Sequence, residues 1–397
     1  MEIRTINEDE FDDFLKMGEF AFQYELSEEE RKKRRSFLKV ENCWALYEDG
    51  AMASKLTIHP FEIWIGNRNF SMGGIAGVAS WPEHRRKGHV QKLMKKSLEV
   101  MREQRQYVSM LHPFSFAFYR KYGWEMTHTT KTYEIKPEQL PIRTANMKGK
   151  VVRIHHDIQR LNAIYERYAQ NYNGMLKRTE KWWNFSILEN SRDIVAVYED
   201  EAGEDQGYLI YNVKDNLMEI EEWISLTPHA KSTMLQYVAN HDSMVRKIKI
   251  HPPVEESFAF YMADPKIKQE YSSYFMSRVV DVKGFLEQYP FKGDLERSLI
   301  FHIEDTFAEW NNGTFIVRSD DHGGRLVDYY PPKEGMRCSQ EPQRGILCTI
   351  NMFSTMFFNH MKPTELSTAG MITGKHDELS YLETILVDER PFLYDFF

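Results

Sequence analysis

Between residues 7 and 22 the apolar positions Phe11, Phe14, Leu15, Phe20 and Phe22 roughly follow helical spacing, behind a capping Asn7. A short strand is expected before this helix at 3–6, and a second helix after it from Ser27. In that second helix Glu28, Glu29 and Glu30 each lie four residues before Lys32, Lys33 and Arg34. The spacing predicts ion pairs on a solvated face, a better reading of the basic run than a phosphate or nucleic-acid patch. Strands are then expected at 44–48, 52–58 and 61–65, the last two meeting at His59-Pro60, with Gly66-Asn67 turning the chain. A strand at 70–80 runs into a Pro-led turn and a long helix. A strand at 107–111, a helix around 116–122 and a strand at 129–135 complete a first α/β segment, with 140–143 as its exit linker.

From 151 to 289 the order of elements echoes the first segment. A helix is expected at 161–172, strands at 194–198, 207–213 and 217–224, a helix at 231–239 and a strand at 246–250. No glycine-bearing loop recurs, which suggests a duplicated fold whose second copy has lost cofactor binding. The last stretch changes character, with strands near 299–303, 313–318 and 348–350, a Met/Phe-rich helix at 353–361 and a final helix after 374.

At 397 residues, the chain is long enough for two or three domains. Its 51 Lys and Arg against 59 Asp and Glu leave a net charge of −8. That balance argues against a dedicated nucleic-acid binder, which needs a basic surface to displace counterions. Cys43, Cys338 and Cys348 form no CxxC pair, so neither a disulfide framework nor a thiolate zinc site is indicated. Cys43 reads as a small buried apolar residue. The acidic start lacks the basic and apolar regions of a signal peptide, and no apolar run approaches a membrane span. These features point to the cytoplasm and to no membrane partner.

The chemistry concentrates in Gly77-Val78-Ala79-Ser80-Trp81-Pro82-Glu83-His84-Arg85-Arg86-Lys87-Gly88-His89-Val90. The helix beginning near Lys87 buries Val90, Leu93, Met94, Ser97 and Met101 and turns Gln91, Lys92, Lys95 and Lys96 outward. A helix start presents orphan amides and a partial positive charge, and Arg85 and Arg86 add cationic donors, so the parts make a pyrophosphate cradle. Neither GxxxxGK[ST] nor GxGxxG is present, which leaves little support for an ATPase or dinucleotide reading.

Arg85-Arg86-Lys87-Gly88-His89-Val90 resembles the (Q/R)xxGx(G/A) acetyl-CoA loop of GNAT acetyltransferases, with Val90 where that family carries Gly or Ala. Pro82-x-His84-Arg85-Arg86-Lys87-Gly88 is more specifically similar to the PxHRRRG loop of the enhanced-intracellular-survival (Eis) branch. The resemblance spans the whole length and includes Gly174–Arg178 with Trp182, and 276–282. It implies an α/β (α+β) fold of two tandem GNAT-like domains, 1–145 and 146–290, then a sterol-carrier-protein-like domain, 291–397. It implies backbone bonds to acetyl-CoA from Val78 and Ser80, with the residues from Arg85 to Val90 holding the pyrophosphate.

Phe118-Tyr119-Arg120-Lys121-Tyr122-Gly123-Trp124 resembles the family's second anchor, which would make Tyr119 the general acid for the departing thiolate. Tyr122 and Gly123 then read as packing and turn residues. The plainer reading of Tyr119 is a core aromatic. In Eis-like enzymes the terminal carboxylate is the base, a role that falls here on Phe397; the plainer reading is an apolar tail packed on its own domain. His84 and His89 belong to the loop, and His112 is placed near the acetyl pocket. All three read as structural rather than catalytic.

The implied reaction is direct N-acetylation of a multi-amine, aminoglycoside-like molecule, with acetyl-CoA as cosubstrate, no metal, and a homo-oligomer, a hexamer among the options. Phe22, Tyr24, Glu25 and Phe37 are the expected acceptor walls, because the first two helices flank the cleft in GNAT folds. Two other readings stand beside it: a protein lysine or N-terminal acetyltransferase, and a non-enzymatic lipid-binding, CoA-sensing protein suggested by apolar 352–361.

Overall fold

The computed structural model describes residues 1–141, 148–189, 192–320, 324–332 and 344–397. Cys338 and part of the expected linker at 140–143 lie outside them. The chain forms two compact units, one of Met1–Thr127, Phe275–Pro391 and Phe397, the other of His128–Tyr274 and Phe392–Phe396.

The first unit opens with strand β1 (Glu2–Thr5), helices α1 (Phe11–Phe22) and α2 (Glu28–Phe37), and strands β2 (Cys43–Glu48), β3 (Ala51–Ile65) and β4 (Arg68–Ser80). Helix α3 (His89–Glu103), strand β5 (Val108–Leu111), helix α4 (Phe116–Arg120) and the short β6 (Glu125–Met126) follow. Among the described residues the sheet runs β1-β2-β3-β4-β5, then strand Met276–Val279, then β6. α3 buries Leu93, Met94, Leu98 and Met101 in a core shared with Leu56, Ile58, Ile75 and Leu111. Cys43 is buried, as expected.

Two expectations need correction. The strands read at 52–58 and 61–65 are one strand, β3, in which Pro60 pairs with Gly73 of β4. β2 covers β3 only as far as Thr57, so among the described residues Pro60 lies where the other edge of β3 carries no strand, the setting in which a strand tolerates proline. Strand Thr129–Ile135 forms where expected, yet it pairs in the second unit's sheet, between Lys268–Ser273 and Lys247–Ile250. In the first sheet the strand lying between β5 and β6 is Met276–Val279, antiparallel to both. In α2, Glu30 closes a capping box with Ser27, and Arg31 reaches Glu19 of α1 at 2.6 Å.

The buried Arg278 of that inserted strand donates to the Tyr122 carbonyl and pairs with Asp305. A four-stranded sheet in the same unit runs Arg325–Tyr330, Gly313–Ser319, Leu299–Glu304, Ile346–Thr349. Helix Ile350–Phe357 follows it, and Asn351 donates to the Arg120 and Trp124 carbonyls at 3.1 and 3.0 Å. Two separate parts of the chain thus fix the turn after α4.

The second unit's sheet also contains Leu217–Ser225, Asp205–Lys214, Ile194–Glu199 and Lys150–Ile154. Its helix Ile158–Ala169 starts three residues earlier than the apolar pattern implied, because Asp157 caps it at the Arg160 amide. Arg178 is fully buried between Asp395, at 2.9 Å, and Glu222. Trp182 donates to the same Asp395 at 2.6 Å, so 392–396 is tied into this unit by charge as well as packing.

Lys55 on β3 is 4% exposed, with its ammonium 3.9 Å from the Phe14 ring centre. Burial pushes its pKa down to about 7. The unfolded chain takes up this proton near ~10.4 and the folded chain only near 7, so between these values the unfolded state holds more protons. Stability therefore rises with pH across that window and is flat below it. At about 1.4 kcal/mol per unit, burying the group costs on the order of 4 kcal/mol at neutral pH. Lys55→Met is expected to raise the melting temperature at pH 7 by several degrees, with the gain shrinking toward pH ~10. Calorimetry over that range checks both; a destabilised variant at pH 7 would show that Lys55 is held by compensating partners.

Candidate active site

β4 carries the opening of the site. Ser80 and Ala79 pair with Ser54 and Lys55, but Thr57 pairs with Ala76, so β4 holds one extra residue and bulges. Gly77 lies in that bulge at φ +59°. β5 pairs with β4 only from Met72 to Ile75. Beyond Ile75 no described strand covers that edge of β4, leaving backbone groups of Ala76–Ser80 for an extended ligand. Val78 is half-buried there. The Ser80 hydroxyl is bonded to that of Ser54 at 2.7 Å, while its carbonyl accepts from Arg85 at 3.4 Å.

The turn that follows is tight. Arg86 takes φ +63° and Gly88 φ +77° as the residue capping α3. A side chain at Gly88 would be strained by that φ, while the space before it is open, its nearest atom, from Gln91, being 4.0 Å away. Arg85, Arg86 and Lys87 are exposed around this helix start, and Val90 is half-buried below it. Glu48 at the end of β2 braces the turn, accepting from Lys87 and meeting His84 Nδ1, both at 2.8 Å. Lys87 first and then His84 hold its carboxyl down to about 2. His89 is buried, 3.8 Å from Glu48. An open, amide-rich helix start ringed by three cations fits a pyrophosphate.

Tyr119 on α4 is 3% exposed, with Phe114 and Phe118 edge-on to its ring at 5.5 and 5.1 Å. Burial pushes its hydroxyl above the ordinary value, so it keeps its proton at neutral pH. α4 ends with the Trp124 amide on the Tyr119 carbonyl and Gly123 at φ +90°, the left-handed exit that Arg278 secures. As expected, Tyr122 packs in the core and Gly123 makes the turn.

Phe397 belongs to the same unit. Its ring lies 5.1 Å from Phe61 and 4.9 Å from Phe275. On β4, a Cβ added at Gly74 would stand 2.9 Å from both the Phe397 and Phe61 rings. Phe61 stacks on His59 at 5.3 Å, and His59 meets Phe37 at 5.9 Å. Apolar surroundings push the His59 pKa down to about 4, making it a neutral member of an aromatic wall. His112 meets Phe275 at 5.5 Å.

An open pocket of about 890 Å³ is lined by Lys16, Glu19, Phe20, Tyr24, Glu25 and Arg85, among others. Of the expected acceptor walls, Tyr24 and Glu25 line it. Phe22 is 51% exposed outside that lining, and Phe37 faces His59 instead. Glu19, held below the usual carboxylate range by the Leu26 amide and then Arg31, was not foreseen. Nor were Glu48, Gly74 and Phe275, which no local motif marks.

Three family models match successive parts of the chain: an acetyltransferase (GNAT) domain over 2–127, a second over 174–279, and a sterol carrier protein domain over 282–394. An uncharacterized N-acetyltransferase of Streptomyces avermitilis is 22% identical over 74% of this chain and 77% of its own length. A probable N-acyltransferase of Enterococcus faecalis, solved as a conserved protein of unknown function, superposes with TM-score 0.91 at 24% identity, covering 100% and 99% of the two chains. Eis1 of Mycobacterium abscessus superposes with TM-score 0.81 at 17% identity over 100% of both. The chain is a GNAT-type acetyltransferase. Within that class it has the Eis-like architecture, two tandem GNAT domains followed by a sterol-carrier-protein domain.

Proposed function

We propose that this protein transfers the acetyl group of acetyl-CoA directly to an amine of a small, multi-amine acceptor of aminoglycoside-like chemistry. The observation carrying this reading is the seating of Phe397 against Phe61, Phe275 and Gly74, in the same unit as the β4 bulge, the α3 turn and Tyr119. Acetyl-CoA supplies an activated thioester. Val78 and Ser80 offer it backbone groups along the uncovered edge of β4, and Arg85 to Val90 receive its pyrophosphate at the start of α3.

An amine with a pKa near ~10.4 arrives protonated, so a base must act before attack. In a chain ending at Phe397 the α-carboxylate takes that role, receiving the amine's proton directly or through a relaying water. Amides at the bulge stabilise charge on the thioester oxygen, and Tyr119 gives its proton to the leaving sulfur. Glu25 and Tyr24 collect the cationic acceptor in the open pocket. The same reading places domain boundaries near 145 and 290, and an oligomer assembled in the cytoplasm. Incubating the protein with acetyl-CoA and a panel of aminoglycosides, polyamines and lysine peptides tests it. Turnover confined to peptides would replace the acceptor class.

Gly74→Ala supplies a sharper check. The added methyl cannot coexist with both rings, so Phe397 must move by the better part of an ångström. kcat/KM is expected to fall on the order of 10–100-fold with circular dichroism unchanged. Wild-type kinetics would mean that Phe397 takes no part.

A further inference from the structure

We propose that Glu48, His84 and His89 form a binding site for a borderline-soft divalent cation of the zinc class, built into the brace beneath the α3 turn. The three residues come from the end of β2, the turn and the first position of α3, separated by 36 and 5 residues, so no ligand motif announces them. One ligand atom from each lies within 4.8 Å of the other two. His84 Nδ1 is 2.8 Å from Glu48 Oε2, and His89 Nε2 is 3.8 Å from Glu48 Oε1. Donors about 2.0–2.1 Å from a tetrahedral ion stand about 3.4 Å apart. The His84 distance is shorter and the His89 distance longer, each to a different oxygen of Glu48, so small turns of these side chains bring one atom of each to a shared ion.

An independent observation points the same way. The His89 side chain is 1% exposed, and neither ring nitrogen has a hydrogen-bond partner. A buried imidazole left this way is costly, and burial of a leucine there would serve packing better. A cation on Nε2 gives the polar ring a purpose that a purely structural brace does not. Lys87 shares Glu48 Oε2 but is 47% exposed, so it swings into solvent at little cost when an ion arrives. Two imidazoles and one carboxylate favour zinc, nickel or cobalt over magnesium or calcium, which take oxygen sets. Three protein ligands leave the fourth position for water or an incoming oxygen. The site lies under the turn assigned to the pyrophosphate and supplies no group to the transfer step itself.

The test uses the full chain, stripped with chelator and titrated calorimetrically with Zn²⁺ alone, with Co²⁺ as a spectroscopic substitute. One Zn²⁺ per chain is expected, with a rise in melting temperature and Co²⁺ bands of tetrahedral character. Affinity should fall at least ~10-fold in Glu48→Gln, in His89→Leu and in the mild, partly exposed His84→Ala. The metal-free His89→Leu chain should melt no lower than wild type. Wild type that takes up no Zn²⁺, or Zn²⁺ binding unchanged in His84→Ala and Glu48→Gln, overturns the proposal.

Discussion

Removing Phe397 from a chain that ends there is expected to lower kcat roughly 10²–10⁴-fold, the range a positioned general base contributes. Acetyl-CoA affinity should hold, because the α3 turn, Gly88 and the β4 bulge owe nothing to the tail. The melting temperature should move little, because residues just before the end are tied down independently, Asp395 by Arg178 and Trp182. A chain extended by two glycines separates ring from carboxylate. It keeps the Phe397 ring among Phe61, Phe275 and Gly74 but carries the carboxylate away. If the extended form loses activity like the truncated one, the carboxylate is the base; if it retains activity, only the ring matters. Unchanged turnover in both would return the role of base to water or to another side chain.

What could be read before the structure was what neighbouring residues decide among themselves. Pro82, the arginine pair and Gly88 specify a turn and a helix start through their own backbone limits, and the apolar spacing of α3 names its buried face. The turn at Gly66-Asn67 needs two positive φ angles, and both residues accept them. Partners distant in sequence were out of reach. Whether Thr129–Ile135 pairs in one sheet or another depends on which strand fills the slot beside β5, and Met276–Val279 lies some 150 residues away. Pro60 looks like a break because proline usually is one; only the end of β2 at Thr57 makes it harmless. Glu48 shows nothing in its neighbourhood to mark it as the carboxylate under the loop, since its partners approach from across a turn. In α2 the charge pattern suggested the pairs Glu28–Lys32, Glu29–Lys33 and Glu30–Arg34; it said nothing of Arg31, which crosses to Glu19 and so helps shape the pocket.

Tyr119→Phe is expected to reduce kcat about 10²–10³-fold while leaving KM nearly unchanged. The substitution keeps the ring that Phe114 and Phe118 hold edge-on and removes only the hydroxyl, so the turn secured by Gly123 and Arg278 should survive. Its cost depends on the leaving group. A thiol near ~8.5 is a better acid than tyrosine, and burial lifts Tyr119 further, so the transfer runs uphill unless it accompanies C–S cleavage. Donor thioesters with more acidic thiols need less of that proton, so their rates should fall less in the variant than the rate with acetyl-CoA. The sign of the pKa shift fixes a second expectation. Because the folded state holds the tyrosine protonated to above its ordinary value, no alkaline fall in wild-type kcat belongs to this group below pH ~10. Equal losses for all thioesters in Tyr119→Phe would make the hydroxyl a packing or binding group, and the leaving sulfur would then take its proton from elsewhere.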